Sequence, residues 1–215
     1  MSGVRDPVRQ RVAAGLRAAL MSGDLDPGRV YSAPALAARF EVSATPVRES
    51  MLDLARDGLV EVVRNTGYRV REVSAAELDQ LAEVRLLLEV PVMGAIAAEH
   101  SEADAERLRA LEPLVAAMEA AERANDIVEY LMVDTQFHTS FLELHGNPEL
   151  VAIVRRARER SRMRGLLPLA RSGRLTASTQ EHRAMIDLAL RRDRPGLEAL
   201  VRRHIERVRR EWATG

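Results

Sequence analysis

Apolar positions along this chain follow two rhythms, and the change comes near residue 73. Before it, helical periodicity is broken often by turn formers; after it, helical spacing runs almost to the C-terminus. Val8, Val12, Leu16, Ala19 and Leu20 predict a first helix from Pro7 to Met21, which Gly23-Asp24-Leu25-Asp26-Pro27-Gly28 stops. Leu36 and Phe40 mark a short second helix from Pro34 to Phe40. A third opens at Ser43-Ala44-Thr45-Pro46, with Ser43 or Thr45 as N-cap and Pro46 tolerated in the first turn. Its apolar stripe is Val47, Met51 and Leu54, while Thr45 and Arg48 lie together well off that stripe. Two strand-like runs, Leu59 to Arg64 and Tyr68 to Arg71, flank Asn65-Thr66-Gly67 and predict a hairpin, the one place that reads as sheet.

Three helices and a hairpin outline a winged helix-turn-helix; a small helical domain with a solvated hairpin fits the same pattern. Beyond it, Ser74-Ala75-Ala76-Glu77 is a capping-box signature that starts a long helix through Leu78, Leu81, Val84, Leu88 and Val92, with a kink expected at Pro91. Further helices are predicted from Ser101 to Arg123, Asp126 to Leu144, Pro148 to about Leu166, Ser178 to Arg191 and Pro195 to Trp212, with a looser stretch from Leu167 to Thr176. The fold class is therefore mainly α: a winged helix-turn-helix domain over residues 5–73, then an all-α antiparallel bundle of about six helices over residues 74–215.

Composition narrows the chemistry. The 215 residues contain no cysteine, which removes disulfides, zinc ribbons and thiol catalysis and confines any metal to His, Asp or Glu. No run approaches the ~18 apolar residues of a membrane span, and the N-terminus has no apolar signal core, so a soluble, cytoplasmic protein with no membrane partner is expected. The 32 basic residues are all arginine and balance 32 acidic ones. Split at residue 73, the first part has 11 Arg against 9 acids, +2, and the remainder 21 against 23, −2. Arg48, Arg64, Arg69 and Arg71 are candidate phosphate contacts, whereas Arg5, Arg9, Arg11 and Arg17 read as a solvated helix face.

The order Gly23-x-Leu25-x-Pro27-Gly28, Leu36-Ala37, Val42-Ser43-x-Thr45-Pro46-Val47-Arg48-Glu49, Leu54-x-x-Asp57-Gly58-Leu59-Val60 and Asn65-x-Gly67-x-x-Val70 closely resembles the DNA-binding domain of GntR-superfamily transcription regulators. The resemblance implies that the helix beginning at Ser43 reads the major groove and that the hairpin is the wing. Ser43, Thr45 and Arg48 would then contact phosphates or bases, Arg64 would contact backbone, and Gly67 would let the wing approach the minor groove. Pro34 stands where relatives often have a polar or charged residue, and Ala44 where many have arginine, which bears on base preference.

Five histidines lie in the second part. His100 and His145 sit at helix C-termini, where an imidazolium interacts well with the helix dipole. Asp134 and His138 share one helix face, and His182 and His204 lie on two later helices. An isolated Asp/His pair at this spacing reads equally as a hydrogen-bonded ion pair. Asp134-x-x-Phe137-His138, Gly146-Asn147, Glu181-His182 and Arg203-His204 are similar to the FCD effector domain of FadR-like regulators, in its six-helix, VanR-like form. That resemblance implies a divalent metal (zinc, nickel or manganese) on Asp134, His138, His182 and His204, and a small carboxylate effector. Arg85 and Glu89 match a family Arg-x-x-x-Glu pattern; Arg85 is either an effector contact or half of a structural salt bridge. Six arginines between Arg155 and Arg164 point in all directions, and the pattern does not single one out.

The function expected is a non-enzymatic, ligand-responsive transcription regulator, a repressor, binding a pseudo-palindromic operator as a homodimer. The alternatives are a metal-dependent hydrolase or lyase with an accessory DNA-binding domain, and a metal sensor with no organic effector.

Overall fold

The computed structural model describes residues 7–164 and 175–213. Arg5 and most of the stretch from Leu167 to Thr176 lie outside the described residues. By their contacts the described residues fall into two compact units, 7–73 with 162–164, and 74–161 with 175–213.

In the first unit, α1 (Pro7–Ser22), α2 (Ala33–Arg39) and α3 (Ala44–Arg56) bury their apolar stripes on one another. Val12, Leu16 and Leu20 of α1 face Val47, Met51 and Leu54 of α3, all close to fully buried. Each removes roughly 1.5–3 kcal/mol worth of apolar surface from water. Ser32 caps α2 by accepting from the Ala35 N–H at 3.3 Å, and Ser43 is the N-cap residue of α3. The sheet is larger than the hairpin alone. Strands β2 (Val60–Val63) and β3 (Gly67–Val70) pair antiparallel, and a two-residue strand β1 (Val30–Tyr31) adds to the other edge of β3, giving the order β1-β3-β2. Val30 pairs with Arg69 and Tyr31 with Tyr68.

The second unit begins at Ser74, whose hydroxyl accepts from the Glu77 N–H at 3.1 Å and starts α4 (Ala75–Glu99). Pro91 lies inside this helix, where it removes one backbone hydrogen bond without ending it. The single helix expected from Ser101 to Arg123 is two, α5 (Glu102–Arg109) and α6 (Glu112–Arg123). The cause is Pro113: it has no N–H to donate back into α5, and it sits instead in the first turn of α6. Then follow α7 (Ile127–Glu143), α8 (Pro148–Ser161), α9 (Leu175–Leu190) and α10 (Arg194–Ala213), with a 3₁₀ turn at Arg162–Arg164 after α8 that is assigned to the first unit. The bundle thus has seven helices among the described residues, the expected six plus the one made by that break.

Helix α4 packs along α10 and α8, and α6 along α7 and α9. At Gly94 a Cβ would lie 2.3 Å from Glu198 Oε1 of α10, so a larger residue there would force the Glu198 side chain to move. The inward faces of α7, α9 and α10 carry Phe137, Phe141, Met185, Ile186, Val201 and Ile205. Polar side chains on the same faces make the site.

Candidate functional site

Asp126 caps α7 by accepting from the Glu129 N–H at 2.9 Å. Along the buried face of that helix, Asp134 and His138 stand one turn apart. α9 contributes His182 and α10 contributes His204, each on an apolar stripe and each at most 1% exposed. One ligand atom from each of Asp134, His138, His182 and His204 lies within 4.8 Å of the others. Sequence spacing alone places only the first two together; the fold assembles the four.

Second contacts on the rings decide which nitrogens face inward. His182 Nδ1 lies 2.7 Å from the Ser178 carbonyl and donates to it. His204 Nδ1 lies 2.7 Å from Glu181 Oε2 and donates to that carboxylate. These anchors assign the tautomers and leave both Nε2 atoms directed at the cluster. His138 Nε2 approaches His182 Nε2 at 3.1 Å, and Asp134 Oδ1 approaches the same atom at 3.1 Å. His138 Nε2 and Asp134 Oδ1 are themselves 3.9 Å apart, so the two meet at the unprotonated His182 Nε2, an arrangement that needs a proton on His138 Nε2 or a metal ion among the three atoms. Ligand atoms around a tetrahedral or octahedral ion at ~2.1 Å are roughly 3.0–3.4 Å apart, which the two 3.1 Å separations match and the 3.9 Å one exceeds. His138 Nδ1 has no hydrogen-bond partner, although Glu89 Oε2 is 3.4 Å away.

Electrostatics favour neutral imidazoles. Burial, with Arg158 adding to it, holds His138 well below its usual value. Burial likewise lowers His204 to about 4, against the pull of Glu181. Neutral nitrogen is the form that binds a metal. The donor set therefore fits a divalent ion such as zinc, nickel or manganese.

The residue that the sequence pattern did not single out is Arg158. It is 1% exposed on α8, with Nη1 3.0 Å from Asp134 Oδ2, Nη2 2.5 Å from Glu89 Oε2 and Nε 3.2 Å from Glu89 Oε1. Its position four residues after the buried Val154 is the signal that distinguishes it from Arg155 and Arg156, which are exposed. Arg85 Nε donates to Glu89 Oε1 at 2.7 Å, so the salt bridge is present. Its Nη2 is buried without a partner. Beside Arg85 is a cavity of about 20 Å³, bordered by Leu78, Ala82, Ser161 and Val208, which is the room a single water needs. Burial raises the cost of ionising Glu89, but Arg158 and Arg85 outweigh it and hold the carboxylate below its usual range.

His100 belongs to a different environment. Its ring nitrogens lie 3.2 Å from the Ser101 carbonyl and 3.1 Å from the Ala189 carbonyl, which ties the end of α4 to α9. His145, just past α7, is exposed.

In the first unit, Ser43, Thr45 and Arg48 are exposed at the N-terminal end of α3, and the Ser43 side chain makes no capping bond. Arg64 is exposed at the end of the hairpin, as is Arg69 on β3. Acids near these groups are engaged elsewhere: Arg9 pairs with Glu49 and Asp53, Arg17 with Asp57, and Arg71 with Glu61. Arg9 and Arg17, expected on a solvated helix face, are part-exposed and also pair with acids of α3 and its C-cap. Among the described residues no acid pairs with Arg48, Arg64 or Arg69. Gly67 has φ +152, and a Cβ there would lie 2.3 Å from the Tyr31 carbonyl oxygen. Its immediate role is to let β1 and β3 approach.

No helix among the described residues is long and apolar enough to cross a membrane. The family model of bacterial regulatory proteins of the gntR family matches residues 8–70, and that of the FCD domain matches residues 80–207. An uncharacterized HTH-type transcriptional regulator from an unstable DNA locus of Streptomyces ambofaciens is 30% identical over 203 residues, 93% of this chain and 83% of that one. The gluconate operon transcriptional repressor of Bacillus subtilis is 30% identical over 133 residues, 61% of this chain and 53% of that one. The fold is that of E. coli McbR/YncC, with a TM-score of 0.79 at 19% identity over 94% of this chain and 95% of the other. The first two are named as a transcriptional regulator and a transcriptional repressor. The chain belongs to the GntR family and carries an FCD domain: it is a transcriptional regulator that binds DNA through its winged helix-turn-helix.

Proposed function

We propose that this protein is a repressor that binds a pseudo-palindromic operator as a homodimer, and that its FCD domain holds a divalent metal and a small carboxylate effector. The observation that carries the metal reading is the meeting of His138 Nε2 and Asp134 Oδ1 at His182 Nε2, 3.1 Å each, while His182 Nδ1 is committed to the Ser178 carbonyl. Asp134, His138, His182 and His204 would be the ligands. When bound, the ion supplies a dication with coordination positions open to an oxygen donor.

Charge accounting supports an acidic effector. Arg85 and Arg158 balance Glu89 and Asp134 in this buried network, so a dication with neutral imidazoles adds two uncompensated positive charges. A buried excess of that size is costly, and a carboxylate offsets it. Arg85, with its Nη2 unpartnered, is a candidate second contact for the acid. Because the cavity beside it holds no more than a water, admission of an organic acid requires side chains to move.

For operator contact, Ser43, Thr45 and Arg48 on α3 and Arg64 on the hairpin are the candidates, with Gly67 shaping the wing. Their support is exposure and, for both arginines, the lack of a competing acid among the described residues. Repression is supported by the relative named as a repressor of the gluconate operon.

One titration series tests the reading. Operator affinity is measured for chelated protein, for metal-reloaded protein, and for reloaded protein with a panel of small organic acids. At least one acid should lower operator affinity of the reloaded protein, and His138→Ala should abolish both metal retention and the response. A response to metal alone would support the sensor without organic effector; retention of no metal by the wild type would reject the centre.

A further inference from the structure

Arg158 is a fully buried arginine that reaches a proposed metal ligand, and the metal reading above does not require it. Its guanidinium spans two carboxylates on two helices, Asp134 of α7 through Nη1 and Glu89 of α4 through Nε and Nη2. Burial and the neighbouring Arg85 lower its pKa to about 10, so it is charged at neutral pH. Asp134 thus has one oxygen directed at the imidazoles and the other against a permanent cation.

Two consequences follow from elementary electrostatics. Without metal, buried carboxylates need a cation nearby, and Arg158 supplies it to both Asp134 and Glu89. With metal, the same guanidinium is a like charge beside a dication in a poorly screened interior, and it withdraws charge from the shared ligand. The first effect stabilises the metal-free fold; the second weakens the metal.

We infer that Arg158 is a built-in counter-cation of the cluster: it keeps the centre folded when metal is absent and holds metal affinity down, so that occupancy follows supply. The inference rests on the proposed metal site. Arg158 acts through Asp134 and Glu89 rather than as a ligand, and is a positioning residue. A residue that merely oriented Asp134 for the ion would act in the opposite direction, tightening the metal.

The test compares full-length wild type, Arg158→Met and Arg158→Lys, using zinc, nickel and manganese salts one at a time. Dissociation constants are read by competition with a chromophoric chelator, and thermal midpoints are read with and without metal. Arg158→Met is expected to bind at least tenfold tighter than wild type. Its midpoint in chelator should fall well below the wild-type value, while the gap narrows in saturating metal, because metal stabilisation grows with affinity. Arg158→Lys keeps the charge and loses the fork, and should bind within about threefold of wild type. Equal or weaker binding by Arg158→Met, or clearly weakened binding by Arg158→Lys, would overturn the inference while leaving the metal site standing. Should Arg158→Met not fold even with metal, Arg158→Lys decides on that same affinity criterion. Wild type that binds none of the three metals would overturn both the site and the role of Arg158.

Discussion

An imidazole kept neutral inside a protein stores a dependence on pH, and His138 and His204 are two such groups. In the unfolded chain each takes a proton near the usual value of about 6.5. In the folded protein burial holds His204 to about 4 and His138 well below its normal range. Between those limits the unfolded state binds more protons than the native state. The stability due to these groups is therefore complete above about pH 6.5, and is lost as pH falls through that value towards 4. Metal-free protein should show a thermal midpoint that drops steeply between pH 7 and pH 5, and His204→Gln should flatten the profile. A midpoint independent of pH over this range would show that the imidazoles are not held neutral. The same residues show what spacing can convey. Asp134 and His138 are neighbours by helical periodicity, whereas His182 and His204 join them only because α9 and α10 pack on α7. Arg158 was hidden among six arginines, because periodicity assigns a face and says nothing about whether a charge on that face has partners waiting.

At the scale of elements, segments with a local cause were legible and segments with a distant cause were not. Caps at Ser74 and Asp126 and the apolar stripe of α3 lie within one turn of the residues they organise. Strand β1 has no such local signal. Its two residues are extended because β3 offers them a partner, and strand preference is largely a matter of that context. The break between α5 and α6 was visible in principle at Pro113, but the apolar rhythm on either side of it masked the boundary. Gly67 links local and distant causes: it closes the hairpin and also admits the Tyr31 backbone. An alanine there would place its Cβ 2.3 Å from the Tyr31 carbonyl oxygen at a φ of +152, so β1 would have to leave β3 or the turn would have to distort. Gly67→Ala should destabilise the winged unit by roughly 1–3 kcal/mol, read by chemical denaturation, and should weaken operator binding without changing metal affinity. Unaltered denaturation would remove the close approach as the reason for glycine.

For the molecule as a whole, the balanced charge of 32 against 32 conceals how the acids are used. In the first unit Glu49, Asp53 and Asp57 are held by arginines of α1, and Arg56 is tied to Asp53, which leaves Arg48 of α3 and Arg64 and Arg69 of the hairpin available to phosphate. In the second unit Glu89 and Asp134 are enclosed with Arg85 and Arg158. A regulator built from two such units works only if binding at one changes binding at the other, and that coupling is reciprocal. If an acid lowers operator affinity by a given factor, saturating operator must lower affinity for the acid by the same factor. Calorimetry of the metal-loaded protein with and without a short operator duplex measures this directly. For a tenfold effect the two shifts should each be about 1.4 kcal/mol, and a scrambled duplex should leave the acid's affinity unchanged. An acid that releases the operator yet binds equally well to free and operator-bound protein would be competing with DNA for the winged unit, and the FCD domain would not be its receptor.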